Sequence, residues 1–373
     1  MIGSMKQLRV PTRIPPALFT ATMGTGITSV VAAHLSSATP VRWLGMALFV
    51  VNAALFAVLT GLYAARLHHD RRQLLRDLEH PRDALFFGAV PMGFATLVNA
   101  SAVYLPRLLH HVPVIGLTGA WGIDVAMAAL SGLAVPYYMF TRHSGKEAEV
   151  SVFWLLPLVP SEVAAASGGL LIGILPPGYR EAVWVISMVS FALSVPIALS
   201  VLALVFQRFA IHGLPPNTQA ASANIAIGPL GTGSLALVEL AKDFDPAWFH
   251  AGAGAHSAAV LLGVVGGLIL WGYGLWWWIL ALMAAARLFA ENHRFDVGWW
   301  GLTFPLGVFT LASYAIGAYY SIGAFTIIAI IQSAILVATW AVVAFHSTAQ
   351  LLTAARRRQS NAQRAQLELA ETA

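Results

Sequence analysis

Ten stretches of this chain are each long and apolar enough to cross a lipid bilayer, which decides what it can fold into. A transmembrane helix needs about 20 mostly apolar residues. The stretches are 15–35, 41–65, 84–105, 116–140, 151–175, 181–206, 218–241, 254–286, 297–319 and 323–347. Gly, Pro and charged clusters separate them, as at His68–Arg82, Arg142–Glu149, Pro215–Asn217 and Glu291–Asp296. Only 10% of the 373 residues are charged. Soluble domains carry about a quarter, so a water-facing globule of this size is excluded. Disorder is excluded too, because it needs low hydrophobicity and high charge. The absence of cysteine removes disulfides, thiolate metal sites and cysteine nucleophiles together.

The expected architecture is an all-α integral membrane protein with ten transmembrane helices. It comprises an N-terminal segment 1–14, a membrane domain 15–350 and a polar tail 351–373, with no room for a soluble domain. The first span is long and flanked by Pro15 and Pro16, unlike a cleaved signal peptide. Arginine and lysine set the orientation. With ten crossings, 17 fall on the side of the two termini and 4 on the other, Arg42, Arg107, Arg180 and Lys242. The positive-inside rule then makes both termini cytoplasmic, in a plasma or bacterial inner membrane.

A repeat with a period of 69 residues organises the spans. The chain reads V-P-M-G-F-A-T-L around Pro91, V-P-S-E-V-A-A-A around Pro160, G-P-L-G-T-G-S-L around Pro229 and F-P-L-G-V-F-T-L around Pro305. In the first span, A-T-M-G-T-G-I-T puts Thr22 in the proline slot, followed by Thr25. The steps between slots are 69, 69, 69 and 76 residues. Gly24, Gly93, Gly231 and Gly307 lie two residues beyond the slot, and Glu162 takes that place in the third repeat. Two spans per unit return the chain to the same side, so all five units share one orientation. Parallel repeats are related by an axis along the membrane normal. The chain is therefore read as five pseudo-symmetric helical hairpins around a central pore. The odd spans line it, with their helices broken at the slots, and the smoother even spans face lipid.

Three acids lie inside spans, Asp124, Glu162 and Glu239, and charge at that depth is costly without a cavity or a partner. Glu162, in a pore slot, is the candidate for proton coupling; the competing reading is a protonated carboxyl bonded to nearby backbone. Glu239 has Lys242 three residues on and reads as a structural pair. Asp124 is placed to bridge helices, and Asn99 and Asn224 fit interhelical hydrogen bonds as well as a path lining. The pairs His68-His69 and His110-His111 fall on opposite sides of the membrane, so no metal site is expected from them. No paired mid-membrane histidines for haem and no nucleotide loop are present, so no cofactor is expected. The tryptophans Trp271, Trp276–Trp278, Trp299 and Trp300 read as an interfacial belt. No convergent catalytic constellation marks an enzyme, and nothing favours nucleic acid.

M-G-T-G-I-T-S-V in the first span, the proline-interrupted odd spans and W-W-G-L-T-F-P-L in the ninth resemble the tellurite-resistance/dicarboxylate transporter family. That family includes bacterial tellurite-resistance proteins, a yeast malate permease, fungal sulfite pumps and plant slow anion channels. The resemblance covers roughly residues 13–350. It implies five hairpins around an anion pore, usually in a homotrimer with one pore per subunit. It also implies a phenylalanine plug in the ninth span, at the position of Phe304. The function expected is an anion channel or transporter for small anions or C4-dicarboxylates such as malate, gated by that ring. The alternative is a proton-coupled exporter of sulfite or another oxyanion. The residues preceding the five slots are Ala21, Val90, Val159, Gly228 and Phe304, so a single large ring has space to reach the axis. Phe19, Phe87, Phe94 and Phe309 compete for the same constricting role, and Phe87 is counted among the lining residues. Broken helices offer amides to anions and carbonyls to cations alike, so the anion assignment rests on the resemblance.

Overall fold

The computed structural model describes residues 15–35, 39–143, 150–213, 223–252, 254–290 and 297–371. The N-terminal segment 1–14 lies outside them. The helices are α1 (Thr20–Leu35), α2 (Thr39–His69), α3 (Gln73–Glu79), α4 (Pro81–Leu85), α5 (Ala89–Leu109), α6 (Val114–Thr141), α7 (Pro160–Ile172), α8 (Pro177–His212), α9 (Ile227–Lys242), α10 (Gly254–Ala290), α11 (Phe304–Tyr320) and α12 (Gly323–Glu371). No strand occurs among the described residues. Nine helical stretches are long and apolar enough to cross a membrane among those residues. The fifth expected span, 151–175, is not one of them: it is a 3-10 turn, Val152–Leu155, followed after a short turn by the 13-residue α7.

The same local design recurs in every odd span. A 3-10 turn precedes the α-helix at Pro16–Phe19, Phe86–Gly88, Val152–Leu155, 223–226 and Val297–Leu302. The slot prolines do not break these helices; they begin them. Pro91, Pro160, Pro229 and Pro305 all lie within the first three residues of α5, α7, α9 and α11. In a first turn the missing N–H costs little, because that donor lacks an intrahelical acceptor anyway. Four of these helices are short: α1 has 16 residues, α7 13, α9 16 and α11 17. At 1.5 Å per residue they fall short of a hydrocarbon layer about 30 Å thick. With the turns before them, the stretches of α1, α9 and α11 reach 20, 20 and 23 residues, long enough to cross, and non-helical backbone is tolerated at that depth where it is enclosed by protein.

The five inner helices α1, α5, α7, α9 and α11 form a closed ring. α1 packs on α5, α5 on α7, α7 on α9, α9 on α11, and α11 returns to α1. Outside it, α2, α6, α8, α10 and α12 each pack on the inner helix that precedes them. Each also reaches the next inner helix, with α12 closing onto α1. In four of the inner spans, 61–94% of the most apolar window is buried, against 22–39% in the outer ones. The exposed side chains of the outer helices are large and apolar, such as Ile123, Leu130 and Phe140 on α6, which suits a surface in contact with lipid.

The connection from Arg66 to Asp83, between the second and third expected spans, is folded. Asp77 of α3 is buried and accepts from Tyr63 (3.0 Å) and Gln73 (2.6 Å), with Arg66 at 3.9 Å. His143, after α6, meets the Leu78 carbonyl at 2.9 Å. The tail is likewise continuous with the membrane helix, since α12 runs unbroken to Glu371.

Candidate functional site

The ring brings the five slots to the starts of its inner helices. Thr22 is fully buried and turns its hydroxyl onto the Phe19 carbonyl at 2.7 Å. Pro91, Pro160, Pro229 and Pro305 are buried as well. A Cβ added at Gly228 of α9 would lie 3.8 Å from the Pro305 Cβ, so the first turns of α9 and α11 face one another. The glycines two residues on serve helix contact. The space beside Gly24 is taken by Thr303 and Trp300, that beside Gly93 by Thr22, and that beside Gly307 by Ile27. At Gly231 a Cβ would come within 2.7 Å of the Phe309 Cα.

Phe304 opens α11 and is 2% exposed. Its four aromatic competitors all face outer helices. Phe19 and Phe94 flank Phe56 of α2 at centroid distances of 5.6 and 5.7 Å. Phe87, expected among the lining residues, sits edge-on to Tyr63 of α2 at 6.3 Å. Phe309 stacks on Trp271 of α10 at 5.5 Å. Among the described residues Phe304 makes no such ring pairing, and it is part of the main buried apolar cluster.

A set of hydrogen bonds holds the ring together that was not foreseen from the sequence. Each outer helix sends a side-chain N–H to the next inner helix. Asn52 of α2 donates to the Thr96 hydroxyl (3.1 Å), Trp121 of α6 to the Ala164 carbonyl (2.8 Å) and Trp184 of α8 to the Leu240 carbonyl (2.9 Å). Trp271 of α10 donates to the Ser313 hydroxyl (2.9 Å), and Trp340 of α12 closes the circle on Thr25 (3.1 Å). Asn52 and Trp121 are 69 residues apart, as are Trp271 and Trp340, so the repeat period marks two such pairs of positions. The interfacial-belt assignment of the tryptophans needs correction. Trp271, Trp277, Trp278, Trp299 and Trp300 are buried, and of that group only Trp276 is exposed. Trp340→Phe keeps an aromatic ring but loses part of the indole's area together with the closing N–H. The hydrogen bond's share of the loss is expected at about 0.6 kcal/mol, up to ~1.7 kcal/mol, within a fall in Tm in detergent. Thr25→Val should cost a similar amount. Full additivity in the double variant would show that the two are not partners.

The buried acids separate into types. Glu239 pairs with Lys242, as the spacing suggested. Asn224 donates to the Gly301 and Leu302 carbonyls, both at 3.2 Å, and ties the fourth repeat to the fifth. Glu162 is fully buried in the first turn of α7, and neither carboxyl oxygen has a hydrogen-bond partner. Asp124 is 1% exposed, with Oδ1 unpartnered. Among the described residues no group of three or more His, Cys, Asp or Glu side chains is arranged to hold a metal ion.

Residues 13–348, nearly the whole chain, match the family described as voltage-dependent anion channel. The sulfite efflux pump of Arthroderma benhamiae is 32% identical over 341 residues, covering 88% of either chain. An uncharacterized transporter of Methanocaldococcus jannaschii is 27% identical, over 84% of this chain and 85% of its own length. The malic acid transport protein of Schizosaccharomyces pombe is 20% identical, over 86% and 75% respectively.

Proposed function

The chain belongs to the voltage-dependent anion channel (SLAC1) family, and we propose that it exports sulfite or a closely similar small oxyanion along the axis of its inner ring. Anion transport as such follows from the family and its relatives. The observation that carries the choice of path is the common starting point of the inner helices. All five begin at the slot, and α1, α5, α9 and α11 have no acidic residue in their first turns. A helix N-terminus carries about half a positive charge on its free amides. Five parallel N-termini around one axis make a site for an anion without lysine or arginine. This gives a sign to the permeant ion that broken helices alone do not.

In this proposal Thr22, Pro91, Pro160, Pro229 and Pro305 narrow the path at those first turns, and the Phe304 ring closes it. Ten crossings in five hairpins, α7 with its turn counting as the fifth, put both termini in the cytoplasm and agree with the 17 to 4 division of Lys and Arg. A homotrimer in the cell membrane with one path per subunit completes it; native mass spectrometry of the purified protein tests the trimer. Sulfite is preferred to malate because 32% identity to a sulfite pump exceeds 20% to the malate carrier.

Proteoliposomes holding the full chain test this with sulfite, malate and chloride, with and without a pH gradient. Protein-dependent sulfite flux exceeding malate flux is expected. Malate moving faster than sulfite would transfer the assignment to C4-dicarboxylates, and no protein-dependent flux of any anion would defeat it.

A further inference from the structure

The connector between α2 and α5 sits at the edge of the membrane. Asp77 of α3 is buried and is tied to α2 by the Tyr63 hydroxyl (3.0 Å), with Arg66 at 3.9 Å, while Gln73 donates to it from within α3 (2.6 Å). α3 is also tied to the end of α6, where the ring of His143 meets the Leu78 carbonyl at 2.9 Å. His143 comes directly after Arg142, at which the apolar run of α6 ends. Phe140, just before them, is 81% exposed, as a side chain in lipid is. α3 therefore lies where the hydrocarbon gives way to water.

Its leucines divide at this level. Leu78 packs on the main apolar cluster. Leu74 and Leu75 do not: they are 38% and 49% exposed on a helix of only seven residues, Gln73–Glu79, that is otherwise polar. In water such side chains are a liability. At a bilayer surface a helix with apolar and cationic side chains together puts the former into the boundary of the acyl chains and the latter among the headgroups.

The charges around these leucines are not balanced. Asp70 is paired with Arg76, Asp77 is taken up by α2 and Gln73, and Asp83 lies 3.5 Å from His80. Arg71 and Arg72 before α3, Arg82 on α4 and Arg142 after α6 are exposed. Among the described residues none of these four has an acidic partner. Of the acids in the connector, Glu79 remains to oppose them.

We infer that α3, with Arg71, Arg72, Arg82 and Arg142, is a docking site for the headgroups of anionic phospholipids in the surrounding leaflet, with Leu74 and Leu75 entering the acyl boundary. Guanidinium groups match phosphate oxygens in pairs. Each cationic side chain at a bilayer surface raises the affinity for anionic lipid about fivefold. A lipid fits better than a soluble anion or an acidic peptide, which would use the arginines and leave the leucines in water. α4 packs on α6 and on the turns Pro16–Phe19 and Phe86–Gly88 that precede α1 and α5. A headgroup held here therefore steadies the starts of two inner helices, whichever anion the chain carries.

The test uses the full chain purified in a neutral detergent, with phosphatidylglycerol, phosphatidylcholine or inorganic phosphate as the probe. Native mass spectrometry reads bound lipid, and thermal unfolding reads Tm. Phosphatidylglycerol is expected to bind and raise Tm, and the other two to leave it unchanged. Arg71→Gln and Arg72→Gln should each weaken that binding about fivefold, and together about 25-fold. Leu74→Ser combined with Leu75→Ser should weaken it about tenfold. Arg356→Gln, at an exposed position of α12, is the control and should change nothing. Asp77→Asn removes a negative charge, so bare charge attraction would tighten binding, whereas loss of the tie to α2 weakens it. If that variant does not fold, Tyr63→Phe removes one tie at constant charge and should weaken binding instead. Equal binding of the two lipids, an equal loss in Arg356→Gln, or binding undiminished in Asp77→Asn or Tyr63→Phe would overturn the inference. A Tm rise with inorganic phosphate alone would also overturn it, by assigning the arginines to a soluble anion.

Discussion

Phe304→Ala is expected to raise protein-dependent anion flux by about tenfold or more while the chain still folds. An apolar constriction stops ions by excluding water, with no charge involved. Phe304 is the one aromatic residue among those preceding the five slots, beside Ala21, Val90, Val159 and Gly228. Its ring is 2% exposed, and it begins a helix instead of sitting in the middle of one. A side chain in a first turn is held on one side by the helix and on the other by the Val297–Leu302 turn, so its truncation leaves α11 otherwise paired. Phe309→Ala is the control. That ring stacks on Trp271 and lies tilted beside Trp278 of α10, so its loss should cost about 3–5 kcal/mol of stability without opening the path. Flux and Tm measured side by side separate the two. Equal leak in both variants, or none in Phe304→Ala, would remove Phe304 as the plug.

The sequence was informative where a physical requirement repeats. Crossing a bilayer demands long apolar runs, and nine of the ten expected ones are helical stretches long and apolar enough among the described residues, the fifth being a turn and the 13-residue α7. The 69-residue spacing then disclosed the repeat, because a slot that recurs in register is hard to produce without symmetry. The roles of residues within the slots were less legible, since sequence does not report direction. Proline reads as a breaker whether it interrupts a helix or starts one, and here Pro160 and Pro305 start theirs. Glycine reads as a lining residue or as a contact residue, and only the positions of Trp300 and Ile27 show that Gly24 and Gly307 are contacts. Tryptophan reads as an interfacial anchor by composition. Trp271 instead carries an interior hydrogen bond to Ser313, a role fixed by a helix 42 residues away. The acids followed the same rule. Glu239 was assigned correctly because its partner Lys242 is local, whereas the surroundings of Asp124 and Glu162 depend on how α6 and α8 dock against α7.

Gly231→Ala should be among the most damaging single-methyl additions in this chain, costing about 1–3 kcal/mol or more. A Cβ at Gly231 would stand 2.7 Å from the Phe309 Cα and 2.8 Å from its backbone nitrogen. Real Cβ atoms do not approach backbone so closely, and backbone cannot rotate aside as a side chain does. α9 and α11 would have to separate. Phe309 is also fully buried against Trp271, so moving it disturbs α10 as well. At Gly307 the obstruction is the side chain of Ile27, which has other rotamers, so Gly307→Ala should cost less. At Gly228 the nearest atoms are Pro305 carbons at 3.8 and 3.9 Å, ordinary contact distances, so Gly228→Ala should be tolerated. Thermal unfolding in detergent should therefore rank the Tm losses Gly231 first, Gly307 second and Gly228 last. The ranking distinguishes helix contact from path lining. Were these glycines placed to keep the path open, alanine at Gly231 would reduce flux and spare Tm. Held at a helix contact, it lowers Tm first, and flux is lost only as the inner ring comes apart.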